Sequence, residues 1–181
     1  WIPGHPVAGT EKSGPLAGSS ELFKNRWTIL SPETNVKKED VKKVSDIWES
    51  MGSKVKIMSV SEHDQILSLT SHLPHVIAYN IVKTSMSNGD KLKGDIIRYS
   101  AGGLRDFTRI AASDPVMWKD IFIDNSDLII RAIENFIKNL TEFKIAIKEK
   151  DSKKLLDIFE KSKEFREEII KAGQDTDKPD F

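Results

Sequence analysis

The sequence carries four histidines, His5, His63, His72 and His75, all within its first 75 residues. Histidine is the side chain that most readily exchanges a proton near neutral pH. Scatter and core packing account for any one of them, but their grouping with polar partners is harder to explain that way. Asp64, Ser68, Ser71 and His75 are spaced i, i+4, i+7, i+11, which sets them along one side of a helix. Pro74 sits inside the same stretch. It has no N–H to donate, and its ring collides with the carbonyl of Thr70, so a bend with exposed polar backbone is expected there. A bent, histidine-rich polar stripe reads as a ligand-binding face. The i, i+3 pair His72 and His75 could chelate a metal, but no HExxH or comparable ligand set accompanies it, so no metal site is expected. A second cluster is Gly102-Gly103-Leu104-Arg105-Asp106-Phe107-Thr108-Arg109. Its glycines permit close backbone approach or positive φ. Arg105 and Arg109, at i, i+4, can share a face and bind carboxylate or phosphate. An ordinary surface helix start, with Arg105 paired to Asp106, is the competing explanation.

Other chemistries are excluded. There is no cysteine, hence no disulfide scaffold, thiolate metal site or Cys nucleophile. The sequence has no GxGxxG, no P-loop and no GxSxG elbow, so a complete nucleotide site cannot be argued from it. Lys plus Arg and Asp plus Glu both number 28, which argues against a nucleic-acid or membrane-surface binder. The balance holds locally: from Ser126 to Phe181 there are 12 basic and 13 acidic residues. No apolar run reaches the roughly 18 to 20 residues that span a bilayer, and no signal peptide is visible. These features lead us to expect a soluble, cytoplasmic protein. At 181 residues the chain is long enough for a real core. It opens on Trp1 rather than Met, and we expect it to be the C-terminal piece of a longer protein.

The elements that must position these residues are legible in outline. Residues 1–20 are rich in glycine and proline and read as a loop, functional because it also carries His, Glu and Lys. Trp27 to Leu30 reads as a buried strand, Asn35 to Met51 as a helix stopped by Gly52, and Lys54 to Val60 as a second strand. Strand–helix–strand is an α/β signature. After Ser61, taken as an N-cap, the pattern is helical almost throughout. One helix runs to about Ser87, followed by a turn at Ser87-Asn88-Gly89-Asp90. A short helix follows Gly102-Gly103, and another opens at Ser113-Asp114-Pro115 and runs to about Ile123. Ser126 to Lys150 is a long helix with Ile129, Ile133, Phe136, Leu140, Phe143 and Ile147 on one stripe. Asp151-Ser152 turns into a last helix carrying Leu155, Phe159, Phe165 and Ile169.

Four blocks together resemble the prephenate/arogenate (cyclohexadienyl) dehydrogenase family. They are residues 4–14 (GHPVAGTEKSG), His63-Asp64 leading to Ser71-His72-Leu73-Pro74-His75, residues 102–111 (GGLRDFTRIA), and residues 113–118 (SDPVMW). They stand in family order with family-like spacing. The resemblance implies a mostly α fold: an all-helical dimerisation domain preceded by the C-terminal strand–helix–strand remnant of a Rossmann-type α/β domain. It places residues 1–60 at the end of the nucleotide-binding domain, and 61–181 in a helical substrate-binding and dimerisation domain. The first Rossmann strands, with their glycine-rich fingerprint, are missing, so the fragment itself should bind the dinucleotide poorly.

The family reaction is an oxidative decarboxylation. A hydride leaves the carbinol carbon for NAD or NADP, carbon dioxide leaves the ring, and the ring becomes a phenol. By resemblance, His5 is catalytic and takes the hydroxyl proton in general-base fashion. Arg109 would hold a substrate carboxylate, positioning more than neutralising it. Ser71, His72 and His75 would line the pocket, and Asp64 would orient one of those histidines. Glu11 would gate or polarise the cleft, and Pro6 would touch the cofactor. Gly102 and Gly103 would reach a pocket across a homodimer interface. Trp118 would pack beneath the arginine helix, and Arg105 stays open between substrate contact and surface ion pair. His75 leans toward prephenate, although the opening block looks like enzymes of broad specificity. Two alternatives stand beside this reading. One is a non-catalytic dimerising module that senses tyrosine. The other is a helical-tailed dehydrogenase acting on a β-hydroxy acid, with no carbon dioxide released.

Overall fold

Trp27–Leu30 forms the middle strand, β2, of a three-stranded sheet in the computed structural model, which describes residues 1–9, 14–87 and 90–173. Its outer neighbours are β1 (Gly4–Pro6) and β3 (Lys54–Ile57). β1 runs antiparallel to it, pairing Gly4 with Leu30, His5 with Ile29 and Pro6 with Thr28. β3 runs parallel, pairing Trp27 with Lys54 and Leu30 with Ile57, and α1 (Lys38–Ser50) makes the crossover. A middle strand has partners on both sides, and Thr28, Ile29 and Leu30 are all buried. The buried Thr28 and Ser53 hydroxyls are 2.7 Å apart. Ser53 donates to the Arg26 carbonyl at 2.8 Å. Its proton is thereby used, so Thr28 donates to it. Gly52 ends the helix at φ +84°, and a Cβ there would meet Lys24 Cα at 3.2 Å. The C′ stop expected of it is present.

One expectation is corrected here. Residues 1–20 are not loop throughout, because β1 lies inside them. Composition could not reveal this, since the strand exists by pairing with residues more than twenty positions away. Gly4 has a packing reason: a Cβ would approach Leu30 Cδ2 to 3.1 Å.

The chain divides into two compact units. The first comprises Trp1–Ala8, Ser20–Met58 and Ile133–Phe181; the second comprises Gly9–Ser19 and Ser59–Ala132. Besides the sheet, the first unit contains most of α7 (Ser126–Glu149) and all of α8 (Ser152–Lys171). Asp151 caps α8 by accepting from the Lys154 N–H at 2.9 Å. Phe143 and Phe159 meet at 6.0 Å, and Ala146 is buried, while Ile137, Leu140, Ile147, Phe159 and Phe165 stay largely exposed.

The second unit opens on α2 (Val60–Leu67). Its cap is Ser59 rather than the expected Ser61. Ser59 and Glu62 form a reciprocal capping box, with Ser59 N–H to Glu62 Oε2 at 2.8 Å and Glu62 N–H to Ser59 Oγ at 3.2 Å. Val60 therefore belongs to this helix, and the second strand stops at Ile57. A π-helical segment, Ser68–His72, joins α2 to α3 (Leu73–Met86). The irregularity expected at Pro74 takes this form: the widened turn just before the proline absorbs the hydrogen bond it cannot make. The expected turn at 87–90 falls partly outside the described residues. α4 (Asp90–Arg98) had no counterpart in the sequence reading. α5 (Gly102–Thr108) and α6 (Pro115–Asp124) stand where expected, α6 capped by Asp114 through the Val116 and Met117 N–H groups. Leu67, Ser68, Ala78, Trp118, Ile129 and Ala132 are buried in this unit.

Candidate functional site

The second unit gathers His72, His75, Trp118, Asn125 and Arg109. His75 stacks on the Trp118 indole, centroids 3.4 Å apart and planes 20° from parallel. His72 meets the same indole edge-on at 6.2 Å. The π segment matters for this arrangement. It places His72 at its last position and His75 in the first turn of α3. His75 Nδ1 bonds the Ser71 carbonyl at 2.9 Å. Burial lowers the His75 pKa below 6.5, the Ser71 carbonyl opposes that, and the nearby Arg109 charge adds to it. His75 is therefore a neutral ring near pH 7 with a positive charge close by.

Trp118 has its ring against the two histidines. It stacks against α3, and its buried Nε1–H has no hydrogen-bond partner among the described residues. A buried N–H without an acceptor is costly and calls for an explanation. Phe122 meets the same indole edge-on at 5.5 Å.

Asp64 departs from expectation. Its carboxylate takes His63 Nδ1 at 2.8 Å rather than orienting His72 or His75. Only its backbone carbonyl reaches toward His72, through the Asn125 amide at 3.2 Å. Arg105 is exposed and pairs with Asp106 at 3.3 Å, which favours the surface-ion-pair alternative. Arg109 is the C-cap of α5 and begins a 3₁₀ turn, Arg109–Ala112. That turn packs against α3, which brings the Arg109 charge to His75. Neither Gly102 nor Gly103 has positive φ. A Cβ on Gly103 would meet nothing within 4 Å, so the space above it is open.

In the first unit, His5 and Pro6 lie on β1, with His5 exposed and set opposite Ile29. Glu11 lies outside the described residues. A groove of about 540 Å³ lined by Pro32, Val36, Val41, Lys42 and Ile57 contains none of the nominated residues. Among the described residues, no three His, Asp or Glu side chains gather as a metal would require. No helix there is long and apolar enough to cross a membrane.

Sequence reasoning missed two members of the second unit's cluster. Asn125 ends α6, where an Asn-Ser pair signals only a turn. Tyr79, one turn beyond His75, donates its hydroxyl to the Ser113 carbonyl at 3.3 Å. Burial and then Asp114 raise its pKa. The i+4 spacing from His75 could have found it.

Residues 59–161 match the family model described as prephenate dehydrogenase, dimerization domain, and residues 1–57 the one described as prephenate dehydrogenase, nucleotide-binding domain. The cyclohexadienyl dehydrogenase of Zymomonas mobilis is 41% identical over 165 residues, covering 91% of this chain and 56% of that protein. The prephenate dehydrogenase of Bacillus subtilis is 33% identical over 92% of this chain and 45% of its own length. A crystal structure of prephenate dehydrogenase from Aquifex aeolicus, in complex with hydroxyphenyl propionate and NAD+, superposes with a TM-score of 0.86 at 38% identity. That match covers 93% of this chain and 58% of that one. The chain thus spans about half the length of the curated relatives it matches.

Proposed function

The chain belongs to the prephenate dehydrogenase family, and on that premise we propose that it serves an NAD(P)-dependent oxidative decarboxylation of prephenate to 4-hydroxyphenylpyruvate, or of arogenate to tyrosine. In this reading residues 1–60 end the nucleotide-binding domain, and residues 61–181 bind substrate and form a homodimer. The absence of cysteine suits work in the cytoplasm.

The observation that carries the reading is the cluster of His72, His75 and Trp118 with the Arg109 charge beside it. It combines a flat aromatic surface, ring nitrogens and a cation, which suits a six-membered ring bearing carboxylates. Arg109 holds a carboxylate by a charge-assisted contact. The buried Trp118 N–H has no acceptor among the described residues. Ser71 and the Gly102-Gly103 backbone complete the lining. His5 takes the carbinol proton, with Pro6 and Glu11 beside it in sequence.

A bound nicotinamide would supply the hydride acceptor. The connection from β2 to α1 (residues 31–37, SPETNVK) has no glycine, whereas a dinucleotide turn needs several. The fingerprint must therefore come from outside these residues.

The test is a thermal-shift titration with prephenate, arogenate and tyrosine on the wild type and Arg109→Ala. A ligand at 100 times its Kd adds about 2.7 kcal/mol, or roughly 5–10 °C for a chain of this size. A prephenate or arogenate shift that Arg109→Ala abolishes is the expected result. A shift with tyrosine alone would favour the sensing module. A shift untouched by the variant would remove Arg109 from the site.

A further inference from the structure

Asn125 closes α6 with its amide between two elements. Its Nδ2 is 3.2 Å from the Asp64 carbonyl oxygen and 3.3 Å from His72 Nδ1. A backbone carbonyl can only accept, so the amide atom facing Asp64 must be the nitrogen. That bond decides which way the amide points. Its second N–H then faces His72 Nδ1, which can answer only with a lone pair. A neutral His72 held in this way carries its proton on Nε2. Turning the ring over would put a carbon against the Asn125 N–H and lose the bond.

His75 is held in the opposite sense. Its Nδ1 lies 2.9 Å from the Ser71 carbonyl oxygen. The carbonyl again only accepts, so Nδ1 bears the proton and Nε2 keeps its lone pair. Both rings lie against the single indole of Trp118, one edge-on and one stacked.

We infer that Asn125 is a positioning residue: with the Ser71 carbonyl it sets the two histidines in opposite tautomers, so that His72 offers the ligand a donor at Nε2 and His75 an acceptor at Nε2. The ligand half of this inference rests on the substrate reading above. It specifies the ligand class further. An oxygen of a carboxylate or ketone belongs at His72, and a hydroxyl or amine proton belongs at His75. The His75 contact thus suits a proton donor of the ligand better than a carboxylate.

The experiment is ¹⁵N NMR of the imidazole nitrogens in the labelled 181-residue chain at about pH 8, where an ordinary histidine is neutral. Couplings from the ring C–H protons identify the protonated nitrogen. The expected spectra show Nε2–H for His72 and Nδ1–H for His75 in the wild type. In Asn125→Asp the carboxylate only accepts, so His72 should swap to Nδ1–H while His75 stays as it was. Wild-type spectra with either ring reversed overturn the inference, and this holds even if the variant fails to fold. Prephenate is then titrated against both proteins. Loss of one well-made donor should weaken binding about five- to tenfold. A swapped tautomer with unchanged affinity overturns the ligand half. Expected spectra with no prephenate binding to the wild type would overturn the substrate reading and leave the Asn125–His72 assignment standing.

Discussion

His75 is the residue where burial, hydrogen bonding and charge act on one ring. Burial lowers its pKa first, and the Arg109 charge adds to the lowering. The sign of the pH effect follows. Below the ordinary value of 6.5 the unfolded ring takes up a proton that the folded ring resists, so the unfolded state binds more protons and stability rises with pH. This contribution is complete above the unfolded pKa and is lost as pH falls from there toward the lower folded pKa. We expect His75→Gln to lower Tm at about pH 8, because the stack on Trp118 goes. Its Tm should also fall less steeply than that of the wild type from about pH 7 to pH 5. Melting curves across that range decide it, and parallel curves would count against the account. His63 and Asp64 show how far residue types can mislead. Their adjacency in sequence already offered the pair seen at 2.8 Å, yet helical spacing drew attention to partners further along.

Among the elements, the run α2, π segment and α3 decides which side chains share a face. A regular helix would have carried Asp64, Ser68, Ser71 and His75 down one side. The π turn at Ser68–His72 changes that register, and Ser68 is buried, its hydroxyl donating to the Gln65 carbonyl at 2.7 Å. Pro74 was the visible cause, because a missing N–H announces an irregularity without saying which kind. The start of the run rests on the Ser59–Glu62 box. Ser59→Ala removes one half of it on an exposed helix end and should cost about 1 kcal/mol, or roughly 2–4 °C in Tm. Ser61→Ala, at the position the sequence pattern suggests for the cap, should change Tm little. Calorimetry of the two variants separates them, and the reverse ranking would refute the cap. α4 was invisible because Asp90–Arg98 contains Gly94 and only three large apolar residues, too few to make a stripe.

For the whole molecule, the exposed apolar residues of α7 and α8 are the main feature. Ile137, Leu140, Ile147, Phe159 and Phe165 are each more than half exposed, and a lone chain seldom leaves so many large apolar groups on two helices. A second copy covering them fits the homodimer we propose. Light scattering should give about twice the mass of one 181-residue chain at micromolar concentration, and Phe165→Asp should shift it toward the single-chain value. A mass of one chain at every concentration would oppose the dimer. The family, the α/β start and the long helices are legible in the sequence by itself, because periodicity, caps and ordered motifs are local signals. Tertiary structure alone decided three things: the pairing of Gly4–Pro6 with β2, the seat of Trp118 against His75, and the Asn125 bridge from Asp64 to His72. Each depends on groups more than twenty residues apart. Such contacts are selected by the packing and hydrogen-bond satisfaction of the folded chain, and no local pattern records them.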